Sequence, residues 1–496
     1  MAGGAVTRRW RIVVPILASV AILAPLAILW QASLVPKNIS VLDMGYHDYG
    51  GGAAPTASDH PSHQASGGRS IDTLIADPAR KADVVVDLVA DSAALNVGGK
   101  SVPGYTLNGT SPGPTITAKQ GQLIEVRLRN KSVPAGVALH WHGVDVPAAM
   151  DGVAGVTQNA VPVGGDFVYR FVADHVGTYW YHSHQVAHEQ VVGGLFGALV
   201  IYPNDSDKTV QDVLAVTHLY GGVKTLNGQP GNLHVPAKPG QQVRLRVINT
   251  DNGPIEVWSG TPYRIQAVDG YDLHEPGEVR GESVAVTGGA RIDLALTMPA
   301  DGSPVRVQVS KGSAVILGAG AEPTEPVQPQ ARVDMLSYGT PAPQGLGFDP
   351  ARANRHFDYS VGYRPGFVRG RPGLWWSING HLYPDVPMYV VREGDVVVMR
   401  IDNHSGELHP MHLHGHHAVV LSKNGVPATG APWWIDSLNV GDKEVYEIAF
   451  VASNPGIWLD HCHNLKHAAQ GMVAHLMYEG VTTPYTLGGD ADNNPE

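Results

Sequence analysis

Histidine occurs 24 times in the chain, and eight of these residues fall in four His-x-His pairs: His140/His142, His182/His184, His412/His414 and His461/His463. On a strand, residues i and i+2 point to the same side, so each pair presents two imidazoles in one direction. Neutral imidazole binds copper, zinc or iron, so the pairs alone leave the metal open. The C-terminal cluster makes the choice. His461-Cys462-His463 is followed by His467 and Met472, and His409 stands three residues before His412. Two histidines, a cysteine thiolate and a weak axial methionine are the donors of a blue-copper electron-transfer site, and His409, Cys462, His467 and Met472 supply them. Cys462 is the one cysteine of the sequence, which excludes disulfide frameworks and cysteine-rich zinc sites. Strand geometry points its sulfur away from the side that His461 and His463 face. The backbone thus links a blue-copper site to a second cluster of imidazoles.

Such sites need rigid strands, and the composition provides for them. Of 496 residues, 43% are apolar and 16% charged, with 59 Gly and 37 Pro, which fits a loop-rich, mostly β chain with several cores. A formal net charge of −11 excludes nucleic acid as a partner, because nothing would neutralise phosphates. The sequence also repeats. Asn108-Gly109 precedes Gly121 and the alternating stretch Leu123–Asn130; Asn227-Gly228 precedes Gly240 and Val243–Asn249; Asn379-Gly380 precedes Gly394 and Val396–Asn403. Alternation of apolar and polar residues marks half-buried strands, and repetition at domain scale predicts three tandem β-sandwiches. A second repeat joins the first and third copies: Phe171, Gly177 and His182 are spaced as Phe450, Gly456 and His461 are. It aligns His140-Trp141-His142-Gly143 with His412-Leu413-His414-Gly415. The middle copy has no such pair and reads as a spacer.

These motifs, His-Trp-His-Gly (140–143), His-Ser-His (182–184), His-Pro-Met-His-Leu-His (409–414) and His461-Cys462-His463 with His467 and Met472, resemble those of three-domain multicopper oxidases of the bacterial laccase-like kind. The likeness runs from about residue 82 to 480. It implies an all-β fold of three cupredoxin-like Greek-key sandwiches, at 81–204, 205–320 and 351–482, with a Pro-rich linker at 321–350 and a tail at 483–496. It implies four copper ions: type 1 on the blue-copper residues, type 2 on His140 and His412, and a type 3 pair on His142, His182, His184, His414, His461 and His463. The first domain has Val137 where the third has His409, and Ser183 where it has Cys462, so it lacks a blue copper of its own. The implied reaction couples four one-electron oxidations of a donor to reduction of O2 to water. Asp151 matches an acidic residue that assists proton delivery, although an Asp before Gly152 is also an ordinary turn residue. Many relatives carry a Glu directly after the residue matching His467; here Ala468 stands there, and Glu189 is the candidate substitute.

The donor is less legible. An axial Met favours easily oxidised donors: phenols, aromatic amines or Cu(I). Met335, Met388, Met399 and Met411 are scattered, against a Cu(I)-specialised surface. Trp433-Trp434 either walls a donor site or packs in a core. At the N-terminus, Arg8, Arg9 and Arg11 precede an uncharged run from Ile12 to Trp30, long enough to cross a bilayer. With few basic residues after it, the run predicts a single-pass anchor within residues 1–35 and an extracytoplasmic body. A secreted protein after signal cleavage is the alternative, since Thr7-Arg8-Arg9 loosely resembles a twin-arginine signal. Residues 36–80, rich in Gly, Ser, Ala and Asp and carrying His47, His60 and His63, read as a flexible tether.

Overall fold

The computed structural model describes residues 4–52, 68–205, 207 and 209–496, with side chains from residue 13 onward. His60 and His63 lie outside the described residues. An α-helix, Gly4–Ala32, leads into three β-sandwiches. In the first, the sheet of Lys100–Leu107, Val84–Val97, Leu123–Asn130 and Asp166–Val172 faces that of Gly113–Lys119, Phe196–Tyr202, Gly177–Ser183 and Leu139–His142. The second and third repeat this plan with larger sheets, and each sandwich encloses its own apolar core.

The repeated motifs do the same structural work in each copy. The three Asn-Gly pairs form two-residue hairpin turns with both residues at positive φ: Asn108 and Gly109 at 54° and 80°, Asn227 and Gly228 at 51° and 76°, Asn379 and Gly380 at 53° and 76°. Each Asn side chain then clasps the sandwich's first long strand, accepting from Val89, Val216 or Ser360 N–H. The alternating stretches run parallel to that strand and antiparallel to the next, and each ends at a buried Asn (130, 249 or 403) whose amide donates to a carbonyl of the following loop, that of Val133, Gly253 or Glu407. A buried amide satisfied in this way fixes the loop that follows, and in the first and third copies that loop leads to the histidine strand.

Two expectations for the flanking segments are corrected. The described part of the tether is packed, not free: Val41 and Ile71 are fully buried in the third domain's core, and Tyr46–Asp48, which includes His47, adds a parallel strand beside Pro387–Val391. A few apolar residues in a Gly-rich stretch suffice to pin it. The segment 483–496 is not a loose tail either. Leu487–Gly488 pairs with Asn38–Ile39, and Asn493 and Glu496 are buried.

Candidate metal centre

Strand register brings the histidine pairs together. His140 lies directly opposite His182, and His412 directly opposite His461, so each outer domain offers four rings on one sheet face. The two faces meet across the interface between the first and third domains. His140 Nε2 lies 3.4 Å from His412 Nε2, and the His184 and His414 ring centroids are 5.0 Å apart. Three triplets have donor atoms within 4.8 Å of one another: His140, His142 and His412; His142, His182 and His463; His184, His414 and His461. All eight rings are buried.

The rings are oriented for metal binding. The Nδ1 atoms of His140, His182, His184 and His412 meet backbone oxygens of Asp151, Ser183, Pro495 and Asp436 at 3.0, 3.0, 3.1 and 2.8 Å. A carbonyl can only accept, so each Nδ1 carries the proton and each Nε2 offers a lone pair. His142 is reversed: its Nε2 meets Asp436 Oδ1 at 3.1 Å. Five further ring atoms, His142 Nδ1, His182 Nε2, His184 Nε2 and both nitrogens of His463, are buried without a hydrogen-bond partner. Buried polar atoms are rarely left so, and their convergence fits a metal cluster. Burial, and after it the neighbouring rings, hold His142, His182, His184, His414 and His461 well below the usual imidazole range. They are the neutral ligands a metal needs.

On the other side of the same strand, Cys462 Sγ lies 3.6 Å from His409 Nδ1 and 3.7 Å from His467 Nδ1, which are 3.2 Å apart. Ser405 Oγ, 2.7 Å from His409 Nε2, turns that ring's Nδ1 toward the sulfur. Met472 is fully buried, and its carbonyl accepts from Cys462 N–H. Burial pushes the Cys462 thiol well up, so without metal the sulfur keeps its proton. The two sides are thus joined through Cys462 and its chain neighbours. In the first domain the equivalent place is closed off: Ser183 Oγ bonds Gln190 Oε1 at 2.6 Å, and Val137 is core.

Asp151 is fully buried, with Oδ1 3.0 Å from His140 Nδ1 and Oδ2 3.0 Å from His414 Nδ1. One carboxylate therefore ties rings from both domains. Glu189 does not reach the site: the short helix Ala187–Gln190 turns its side chain outward, 66% exposed. A different carboxyl is present. Glu496 is buried, with Oε1 3.4 Å from His461 Nδ1, and lines a cavity of about 480 Å³ that also touches Lys37, Arg369 and Ala468. Trp433 and Trp434 lie at the interface of the second and third domains, Trp434 stacked on Tyr271 and Trp433 beside a cavity of about 380 Å³, and not against His467. The ring that meets His467 is Trp376, with centroids 4.4 Å apart.

The middle domain reaches the cluster through residues without a sequence signal. Arg291 Nη1 and Nη2 donate to Asp436 at 2.7 and 2.5 Å, and the same carboxylate accepts from His142. Asp269 accepts from the backbone N–H of Asp436 and Ser437 at 3.1 Å each. Burial alone would raise the Asp436 carboxyl, yet the Arg291 guanidinium and the His142 and His417 rings hold it well below the usual range. Gly143 makes this approach possible: at φ 81°, a Cβ there would come within 2.2 Å of Arg291 Nη2.

Family comparisons agree with this geometry. Multicopper oxidase family models match residues 89–206 and 350–480. Multicopper oxidase MmcO of Mycobacterium tuberculosis is 28% identical over 451 residues, spanning 80% of this chain and 87% of its own length. Laccase-1 of Botryotinia fuckeliana is 28% identical over 473 residues, with 81% and 83% covered. Among solved structures, a multi-copper oxidase from Pseudomonas thermotolerans is 26% identical with a TM-score of 0.66, covering 80% of this chain and all of that one. The chain belongs to the multicopper oxidase family: a copper-dependent oxidoreductase of cupredoxin-like fold that uses O2 and four copper ions.

Proposed function

We propose that the chain oxidises small electron-rich aromatic donors, phenols or aromatic amines, beside His467. In this reading His409, Cys462, His467 and Met472 hold the type 1 copper, His140 and His412 the type 2, and the other six paired histidines the type 3 pair. The observation that carries it is the set of eight buried imidazoles converging on one space, four of them (His142, His182, His184 and His463) with unpartnered nitrogens, joined to Cys462 by the backbone. Copper bound there supplies one-electron chemistry that gathers four electrons, which with four protons reduce one O2 to two waters.

The protein's own groups then have definite tasks. The carbonyls on Nδ1 fix each tautomer, and burial keeps bulk water from the inner rings. Peptide bonds on either side of Cys462 give the electron a covalent path from the outer site to the inner one. Asp151 holds the Nδ1 protons of His140 and His414 and hands protons toward the cluster. Near His467 Nε2, Glu407 Oε2 lies 3.6 Å away with its side chain 52% exposed, placed to accept a phenol's proton or attract an amine. The N-terminal helix, whose stretch Val13–Ala32 is apolar and unburied, is an uncleaved anchor holding the body outside the cytoplasm.

Oxidation of Cu(I) is the second reading, favoured by the same Glu407 carboxylate, which suits a cation. Against it, Met388, Met399 and Met411 are buried in the third domain's core and offer no thioether to solvent. Steady-state kcat/KM for a phenol and for Cu(I), measured side by side by O2 uptake, decides between them; a strong preference for Cu(I) overturns the organic-donor reading. Cys462→Ser tests the shared mechanism. It is expected to abolish the intense blue absorption and donor oxidation while the trinuclear coppers stay bound. A blue, active Cys462→Ser protein would refute the assignment.

A further inference from the structure

The outer site sits behind a hairpin whose far end touches the N-terminal helix. The strands Arg355–Val368 and Arg371–Ile378 pair in register, with Tyr363 opposite Trp376, Pro365 opposite Leu374 and Phe367 opposite Pro372. Directly opposed residues share a face and alternate every second position, so these six side chains form one stripe. At its inner end Trp376 lies against His467, and Tyr363 stacks on Trp376 at 3.9 Å and donates to Glu407 Oε1 at 2.9 Å. Toward the turn the stripe is open: Leu374 is 62% exposed and both prolines are exposed. The opposite face packs in part, with Val368 buried, Trp375 against the core and Gly366 against Leu382, while Arg364 and Arg371 on it are exposed.

The turn itself is fixed to the helix. Gly370 N–H donates to Ser33 Oγ at 3.1 Å, and Gly370 packs so closely on Leu34 that a Cβ would come within 2.8 Å of it. Where the helix spans a bilayer, this turn is at the lipid surface. Arg364, Arg369 and Arg371 around it are exposed, the charge that anionic headgroups attract. From Gly370 to Trp376 is six residues, about 20 Å of extended strand.

We propose that this stripe rests on the membrane surface and delivers lipid-dissolved aromatic donors, hydroquinones carrying an apolar tail, to the edge of His467. Each hydroquinone loses two electrons and two protons to become a quinone. Two hydroquinones and one O2 give two quinones and two waters, so electrons and protons balance. The inference rests on the proposed donor oxidation at His467 and on the retained anchor.

The test uses the full chain in vesicles of phosphatidylcholine and phosphatidylglycerol. An environment-sensitive fluorophore on Leu374→Cys is expected to shift to the blue in vesicles, in copper-free protein as well; on Val426→Cys, at the other edge of the same sheet, it is not. Cys462 is buried and takes no label. Leu374→Glu is expected to lower kcat/KM for decyl-hydroquinone about tenfold, the scale of losing one leucine's apolar contact. Unsubstituted hydroquinone should change less than about twofold on the same scale. No shift at 374, or equal effects on both donors, overturns the proposal. Wild-type protein that fails to oxidise unsubstituted hydroquinone fells the donor reading itself, and this inference with it.

Discussion

Arg291 is the clearest case of a single side chain whose importance lies in what it holds. Its guanidinium is fully buried, and both its terminal nitrogens are committed to Asp436, which orients the His142 ring. Arg291→Met leaves that carboxylate buried without its main counter-charge, a change that typically costs about 3–5 kcal/mol. The expected outcome is copper loss confined to the inner cluster: the type 3 absorption near the ultraviolet weakens while the blue band persists, as optical spectra and metal analysis would show. Equal loss of both signals would make Arg291 a general stabiliser only. None of this is legible in the sequence. The histidine pairs are readable because period 2 is local, and Cys462 because its neighbours announce it. Arg291 and Asp436 are 145 residues apart on different domains, in stretches with no repeated motif, and only the folded interface relates them. Glu496 carries no sequence signal for the same reason, whereas Glu189 is legible only by its nearness in sequence to His184, and the short helix turns it to solvent.

The turns and strands that carry these residues are as exacting as the ligands. Asp151 reaches two rings because the next residue, Gly152, sits at φ 75° with its α-carbon against the Leu139 carbonyl; a Cβ there would lie 1.7 Å from that oxygen. Gly152→Ala therefore pushes the turn off the His140 strand. It is expected to cost at least about 1–3 kcal/mol and to lower type 2 copper occupancy, measurable by thermal unfolding and electron paramagnetic resonance. The ligand strand Ile457–Cys462 carries a second constraint in Asp460, whose carboxyl burial pushes up from 3.8 to about 8. The folded chain keeps this proton over a range where the unfolded chain has lost it. That stabilisation is whole below about pH 4 and declines as pH rises through about 8. In copper-free protein, Asp460→Asn should flatten the loss of thermal stability over this window; an unchanged slope would show that Asp460 is not responsible. At this scale the alternating strands follow from local pattern, but the middle copy, which reads as a spacer for want of histidine pairs, sends Arg291 and Asp269 to the cluster, contacts that no local pattern announces. The packed parts of 36–80 are not legible in the sequence, because a Gly-rich composition masks the few anchors, Val41 and Ile71, that pin the segment.

Across the whole molecule, the inner site doubles as a joint. Four rings come from the first domain and four from the third, and nitrogens of His142, His182, His184 and His463 are left unpartnered between them. Binding to the folded form alone stabilises it by mass action. Removing copper with a chelator should lower the unfolding temperature by several degrees, the scale of a few kcal/mol in a chain of this size, and should expose the 139–142 and 409–414 strands to hydrogen exchange more than the middle domain. Uniform deprotection would instead mean that the metals brace no particular interface. The division of the rings also sets an order of events during biogenesis. His140 and His463 are separated by more than three hundred positions, so a ribosome or a translocation pore releases half of the cage long before the other half. A partly emerged polypeptide cannot close around the inner ions. Maturation therefore has to wait until the last sandwich has docked on the first, and metal insertion marks completion of the molecule.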